Sequence, residues 1–134
     1  MRISESKGVR NWVAVLLLCV LIFLPSLVHL PMPRGPFNDK VAHLLVYAVV
    51  GFLVLRGARS LPLGQSRVAA VCFAFLVAVL IGMADEVHQL FVPRRSMDRV
   101  DFLCDIVGVT CGIVLYVIVW LREDRNVPDR SPTD

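Results

Sequence analysis

Four long apolar segments constrain the fold of this chain more than any other feature of its sequence. They are Trp12–Leu30, Lys40–Arg56, Val68–Val92 and Phe102–Leu121. A helix of about 20 apolar residues crosses the hydrocarbon core of a bilayer, and 57% of the 134 residues are hydrophobic. Backbone polar groups in lipid must pair within a helix or a closed barrel. We therefore predict an all-α protein, a bundle of four transmembrane helices.

Polar ends flank this membrane domain. We predict a cytoplasmic N-terminal segment, Met1–Asn11, a transmembrane domain, Trp12–Leu121, and a charged, disordered tail, Arg122–Asp134. The start resembles a signal peptide, but no small-x-small cleavage site follows it, so we expect the first span to be retained. The second apolar segment is short, and Asn38 or Asp39 is expected to cap its helix.

The basic residues predict the orientation of the bundle. Four spans place both termini on one side, and Lys and Arg collect in cytoplasmic loops. An N-in, C-in topology puts nine of the 14 basic residues inside: Arg2, Lys7, Arg10, Arg56, Arg59, Arg67, Arg122, Arg125 and Arg130. Because the basic residues flank the apolar segments, orientation in a bilayer explains them and the net charge of +3 is not evidence of nucleic-acid binding. No nucleic-acid partner is predicted.

The topology also brings many polar residues to one depth. Segment two begins, segment three ends and segment four begins on the outer side, which is where these polar residues lie: Asp39, Lys40, His43, Tyr47, Asp85, Glu86, Gln89, Arg94, Arg95, Asp98, Asp101 and Asp105. A charge facing lipid costs about 2.5–3.5 kcal/mol near a helix centre. We expect helical stripes of these residues to face inward, with an acidic stripe on segment four running into a G-x-x-x-G that permits close helix contact.

Structural explanations exist for several of these residues. Asp98 suits the N-cap of the fourth helix, with Asp101 favoured by the helix dipole. Lys40 suits a snorkelling interface anchor. Arg95 could neutralise Glu86 and Asp105 in a network that fixes helix packing without any further role.

The chemistry of the cluster leaves catalysis open. His43 with Glu86 or Asp105 could perform acid–base chemistry, so His43 and Glu86 are the catalytic candidates, although no catalytic residue is assigned. No nucleophile elbow surrounds Ser96. His43, Glu86, His88 and Asp105 could supply metal ligands, but they lack a short-range ligand spacing. The four cysteines form no C-x-x-C pair, and neither a metal nor a cofactor is predicted.

Two sequence blocks resemble the VanZ-like family of small bacterial membrane proteins. Asp39–Leu55, DKVAHLLVYAVVGFLVL, is similar to the family pattern D-K-x-x-H-x-x-x-Y-x-x-x-G. Asp85–Gly112 is similar to E-x-x-Q-x-F-x-P-x-R-x-x-D-x-x-D-x-x-x-N-x-x-G-x-x-x-G. The matching positions are Asp39, Lys40, His43, Tyr47, Glu86, Gln89, Phe91, Pro93, Arg95, Asp98, Asp101, Gly108 and Gly112. Two positions depart from the pattern: Arg94 replaces a common glycine, and Asp105 replaces the usual asparagine.

The resemblance implies an envelope function in the bacterial cytoplasmic membrane. The family is named for a protein of resistance to teicoplanin, a glycopeptide, which suits an outward-facing site. We expect this site to bind an anionic lipid or a cell-wall precursor head group. Its expected residues are Asp39, Lys40, His43, Tyr47, Glu86, Gln89, Arg94, Arg95, Asp98, Asp101 and Asp105, with the arginines on phosphate or carboxylate. The alternatives are an enzyme acting on a lipid-linked substrate and a small permease or its accessory subunit.

Overall fold

The part of the chain that the structure describes folds into four α-helices. The computed structural model describes residues 2–28, 36–92 and 97–125, among which there is no β-strand. The helices are α1 (Arg2–Val28), α2 (Pro36–Ala58), α3 (Arg67–Gln89) and α4 (Arg99–Arg125), with a short 3₁₀ helix, Pro62–Gln65, between α2 and α3. The prediction of an all-α fold is confirmed.

The second helix begins earlier than predicted. It starts at Pro36, because the fixed φ angle of proline suits a first helical position and its missing N–H is not needed there. The predicted cap at Asn38 or Asp39 is therefore wrong. Asp39 lies in the first turn of α2, where a carboxylate is stabilised by the helix dipole.

The first and last helices in the chain, α1 and α4, extend beyond their apolar segments. Helix α1 begins at Arg2, within the predicted polar segment, and α4 continues through Arg125. The prediction of a disordered tail from Arg122 is therefore wrong for Arg122–Arg125, where Arg125 Nε donates to Leu121 O at 3.3 Å. Residues 126–134 lie outside the described part of the chain.

Helices α2 and α4 make the closest contact in the bundle. A Cβ atom added at Gly112 would overlap the carbonyl oxygen of Ala48, and one added at Gly108 would overlap that of Leu44. The two backbones therefore touch where α4 has no side chains. The predicted close helix contact at the G-x-x-x-G of α4 is confirmed, and it aligns the acidic N-terminal turns of α4 with the start of α2.

Helix α3 packs through a face of small residues. Ser66 caps it by accepting a hydrogen bond from Ala69 N at 3.3 Å. Every fourth residue from there is small and buried, in the series Ala70, Ala74, Ala78 and Gly82. The next turns of the same helix bury Asp85, Glu86 and Gln89 instead. The face thus holds α3 close to its neighbours at one end and delivers polar groups at the other.

Three helices have the length and composition of membrane spans. They contain Asp39–Ala58, Arg67–Gln89 and Arg99–Arg125, whereas the described apolar stretch of α1, Gly8–Phe23, is shorter than a span. Large apolar side chains cover the outside of the bundle, among them Leu17, Leu45, Leu76, Leu103 and Leu115. A soluble monomer rarely exposes so much contiguous apolar surface, so this is a membrane protein. That α1 also spans the membrane remains a prediction.

The N-terminal part of α1 and the C-terminal end of α4 lie at the same end of the bundle. Asn11 Nδ2 donates to Arg56 O at 3.4 Å, and Arg59 forms ion pairs with Glu123 and Asp124. The guanidinium of Arg59 also lies 4.8 Å from the centre of the Trp120 ring. This end of the bundle is rich in arginine. The polar residues at the start of α2, the end of α3 and the start of α4 lie at the opposite end, because successive helices run in opposite directions.

Candidate functional site

The opposite end of the bundle holds a buried polar cluster. It forms where the N-terminal halves of α2 and α4 meet the C-terminal half of α3. We define the polar cluster as Lys40, His43, Tyr47, Asp85, Glu86, Gln89, Asp98, Asp101 and Asp105. Six of these residues are buried polar or charged side chains, namely His43, Asp85, Glu86, Gln89, Asp101 and Asp105. The predicted inward orientation of the polar stripes is the one found.

An imidazole and a carboxylate form the centre of this cluster. His43 Nδ1 lies 2.8 Å from Asp105 Oδ1, and both side chains are buried. The α2 and α4 residues are 62 positions apart in sequence. Their contact follows from the glycine-mediated approach of the two helices one turn deeper, at Gly108 and Leu44.

Tyr47 joins α2 to α3 beside this pair. Its hydroxyl donates a hydrogen bond to Asp85 Oδ2 at 3.2 Å, and its side chain is 1% exposed. Tyr47 follows His43 by one helical turn, and the two rings are parallel with their centroids 6.2 Å apart. The i, i+4 spacing on α2 therefore places both polar groups on one face.

Glu86 is fully buried and accepts hydrogen bonds on both oxygens. Gln89 Nε2 donates to its Oε1 at 3.3 Å, and the backbone N–H of Asp98 donates to its Oε2 at 3.1 Å. A buried carboxylate without such partners would be strongly unfavourable. Glu86 thereby connects α3 to the residue that precedes α4.

Lys40 bridges the two acids at the start of α4. Its Nζ lies 3.1 Å from Asp98 Oδ2 and 2.8 Å from Asp101 Oδ1. Asp98 also caps α4, because its Oδ1 accepts from Val100 N at 2.8 Å, as one of the sequence interpretations proposed. The Val100 N–H and then the Lys40 ammonium hold the pKa of the Asp98 carboxyl below its usual value. Lys40 is thus a member of the cluster, bound to two of its acids.

One carboxylate oxygen in the cluster is not satisfied. Asp105 is 1% exposed, and its Oδ2 has no hydrogen-bond partner among the residues the structure describes. This oxygen lies over Gly82, where an added Cβ would come within 3.3 Å of it. Within the polar cluster, five carboxylates accompany one lysine and one histidine, so the described cluster is acidic.

Comparison with known proteins places the chain in a family. Residues 11–120 match the VanZ/LLP1 family. The chain belongs to this family. A relative in Schizosaccharomyces pombe, named "Uncharacterized protein C11E3.10", is 26% identical over 121 residues, which cover 90% of this chain and 72% of the relative. No solved structure matches the chain.

The VanZ/LLP1 motif residues converge in space. Lys40, His43, Tyr47, Glu86, Gln89, Asp98 and Asp101 all belong to the polar cluster, together with Asp105. Gly108 and Gly112 hold α4 against α2. Motif positions from both sequence blocks therefore either line the cluster or position the helices that carry it. Asp39 lies beside the cluster, since one of its carboxylate oxygens is within 4.8 Å of ligand atoms of His43 and Asp101.

Some residues in the sequence prediction are absent from this picture or were missed by it. Arg94 and Arg95 lie outside the described residues. Asp85 was not among the expected binding residues, although it is buried and bonded to Tyr47. Its sequence signal was its adjacency to Glu86. His88 is half-buried outside the polar cluster, with its ring 5.4 Å from that of Phe23.

Proposed function

We propose that this VanZ/LLP1 protein acts in the bacterial cell envelope and recognises the head group of an anionic lipid or a cell-wall precursor through its polar cluster. In this proposal the chain spans the cytoplasmic membrane with both termini inside and the cluster facing outward. The observation that carries it is the burial of ionisable side chains from three helices at one end of a membrane bundle. Such groups are costly in a membrane and usually mark a functional site.

The charges of the cluster divide the ligand between two sets of residues. Arg94 and Arg95 belong to the segment between Gln89 and Asp98, and both of these flanking residues are hydrogen-bonded to Glu86. We assign the arginines to the phosphate, which guanidinium groups bind with two parallel hydrogen bonds. The carboxylates of the polar cluster accept hydrogen bonds. They therefore suit the amine and hydroxyl groups of the same ligand, which donate them.

A deletion strain complemented with variants tests this proposal. We expect deletion to change the lipid profile or the susceptibility to teicoplanin-type glycopeptides, and the wild-type gene to restore it. Arg95→Ala and Glu86→Ala should fail to restore it while the proteins accumulate in the membrane. Glu123→Gln is the matched control, because this acid pairs with Arg59 at the opposite end, and it should complement fully. Full complementation by both Arg95→Ala and Glu86→Ala would remove the proposed site from consideration.

A membrane enzyme is the second candidate, because one contact favours it. His43 and Asp105 form a buried imidazole–carboxylate pair at 2.8 Å, which is an arrangement that orients a general base. Glu86 lies beside them as a candidate acid. Incubation of the purified protein with extracted envelope lipids tests this function. A new lipid mass that His43→Gln eliminates supports an enzyme, whereas bound but unchanged lipid supports recognition alone.

A permease is less well supported. Toward the opposite end of the bundle, the buried described side chains are apolar, for example Val50, Val54, Leu55, Ala70 and Ala74. A polar substrate crossing the bundle would have to pass this dry core. Substrate uptake into proteoliposomes is the measurement that would revive transport as a function.

A further inference from the structure

We propose that His43, Glu86 and Asp105 form a binding site for one divalent transition-metal cation, of the kind of Mn²⁺ or Zn²⁺. The three residues belong to α2, α3 and α4, and each is buried. One potential ligand atom from each residue lies within 4.8 Å of those from the other two. This inference goes beyond head-group recognition, since the site is defined and tested without any lipid.

The unsatisfied oxygen of Asp105 supports a cation site at this position. A buried carboxylate oxygen without a partner has lost its hydration without a compensating bond, which destabilises the fold. Asp105 is 1% exposed, so water at the surface does not solvate it, and Oδ2 has no hydrogen-bond partner among the described residues. A metal ion bound by this carboxylate would satisfy it.

The charge balance supports the same conclusion. Glu86 and Asp105 would contribute two negative charges to the site, and neither forms an ion pair with a lysine or arginine within the described ranges. Lys40, the lysine of the polar cluster, is bound to Asp98 and Asp101. With a neutral imidazole at His43, two buried carboxylates would be balanced by one divalent cation.

The geometry needs only a small adjustment to bind an ion. Zinc bonds to histidine nitrogen and carboxylate oxygen are about 2.1 Å long, so the ligand atoms of a tetrahedral site lie about 3.4 Å apart. The three ligand atoms, all within 4.8 Å of one another, would have to close by at most about 1.4 Å. The His43–Asp105 contact of 2.8 Å would open slightly as both atoms turned to the ion.

The donor set selects among the metals. A histidine nitrogen favours transition metals, whereas carboxylates alone suit Mg²⁺ and Ca²⁺. A second group at this end, comprising Asp39, His43 and Asp101, has ligand atoms equally close together. Asp101 is already occupied by Lys40 at 2.8 Å, so we assign the ion to the Glu86 and Asp105 side of His43.

Mn²⁺ titration of the purified full-length protein tests the site. The protein is stripped with a chelator, exchanged into chelator-free detergent, and titrated while the electron paramagnetic resonance signal of free Mn²⁺ is recorded. We choose Mn²⁺ because the four free cysteines prefer softer metals. We expect one Mn²⁺ per chain, displaced by Zn²⁺, and a rise in the unfolding temperature on binding.

Isosteric variants connect the binding to the three residues. Glu86→Gln, Asp105→Asn and His43→Gln should each weaken Mn²⁺ binding at least about tenfold, since even residues outside the ligand shell alter metal affinity by 10–100-fold. Glu123→Gln is the control, because Glu123 is an exposed acid that pairs with Arg59 at the opposite end of the bundle, and it should bind as the wild type does. If one variant does not fold, the other two still test whether the triad binds the ion. The thermal shift of the wild-type protein on binding does not depend on any variant.

Three outcomes would overturn the proposal. The first is a folded wild-type protein that binds no Mn²⁺ or Zn²⁺. The second is equal binding by the wild type and the triad variants, which would assign the ion to surface carboxylates. The third is binding that appears only in Arg95→Gln, which would mean that a guanidinium occupies the place of the ion. If the wild-type protein bound the metal but recognised no lipid head group, the result would count against the proposed function and leave the metal site standing.

Discussion

At the scale of single residues, the polar cluster is a set of specific pairs. Tyr47 with Asp85 and His43 with Asp105 each join two helices through one hydrogen bond. Lys40 joins α2 to the N-terminus of α4 through two acids. Because a buried polar atom that loses its partner keeps its desolvation penalty, each pair can be measured by removing one side of it.

Removal of the Tyr47 hydroxyl should destabilise the protein. Tyr47→Phe deletes the donor to Asp85 Oδ2 and keeps the ring, so we expect a loss of about 1 kcal/mol of unfolding free energy. Chemical or thermal unfolding in detergent measures it. In a double-mutant cycle with Asp85→Asn, a coupling energy near zero would mean that the two side chains do not interact.

The Asp98 carboxylate should make stability depend on acid pH. Its pKa is lowered in the folded protein, so its charge contributes stability that is complete above the unfolded pKa of about 4. That contribution is lost as the pH falls through the lower folded pKa. Asp98→Asn keeps a capping side chain and removes the charge. Its unfolding temperature should therefore fall less than that of the wild type between neutral and strongly acidic pH, and parallel curves would refute the pairing.

The sequence predicted which side chains of the cluster turn inward, but it predicted few of the pairs that they form. The stripes on α2, α3 and α4 identified which side chains turn inward, because a charge facing lipid is costly. The Asp98 cap followed from local sequence. That Lys40 reaches Asp98 and Asp101, or that Tyr47 bonds Asp85, depends on the rotation of each helix against its neighbour, which a one-dimensional pattern does not contain.

At the scale of the elements, small residues decide how the helices pack. Glycines on α4 let its backbone touch α2, and the face of α3 formed by Ala70, Ala74, Ala78 and Gly82 is fully buried. In lipid the apolar effect between helices is absent, so close van der Waals contact at small residues drives association. The polar cluster depends on these contacts because they hold its three helices together.

A methyl group at the α2–α4 contact should therefore be destabilising. Gly112→Ala would place its Cβ against the carbonyl oxygen of Ala48, and the helices would have to separate, at a cost of about 1–3 kcal/mol or more. The unfolding temperature in detergent and the yield of folded protein measure the effect. Cys111→Ala, at the neighbouring exposed position, is the control. Equal stability of the two variants would contradict a contact at Gly112.

At the scale of the whole molecule, the bundle has two chemically different ends. One carries the polar cluster, and the other carries arginines beside Trp120, whose ring lies 4.8 Å from the Arg59 guanidinium and 5.4 Å from that of Arg67. Tryptophan is enriched at both membrane interfaces, whereas basic residues are enriched at the cytoplasmic one. The difference between the ends supports the proposed orientation, with the cluster outside.

Accessibility of single cysteines should reveal that orientation. In a protein without its native cysteines, Met97→Cys near the polar cluster should react with a membrane-impermeant maleimide in intact cells. Gln65→Cys, in the exposed 3₁₀ helix at the other end, should react only after permeabilisation. Ser4→Cys, near the start of α1, should behave like Gln65→Cys if α1 spans the membrane. The reverse pattern for the first two positions would invert the topology.

The sequence by itself determined the all-α class, the apolar lengths of α2, α3 and α4, the grouping of the charged residues at one end of the bundle and the glycine contact of α4. These properties follow from the lengths of apolar segments, the cost of charge in lipid and helical spacing, all of which are local. The tertiary structure decided which groups meet. His43 and Asp105 are 62 residues apart. They meet, with Glu86 beside them, only because packing sets the crossing and rotation of three helices. The same packing leaves one oxygen of Asp105 unsatisfied among the described residues.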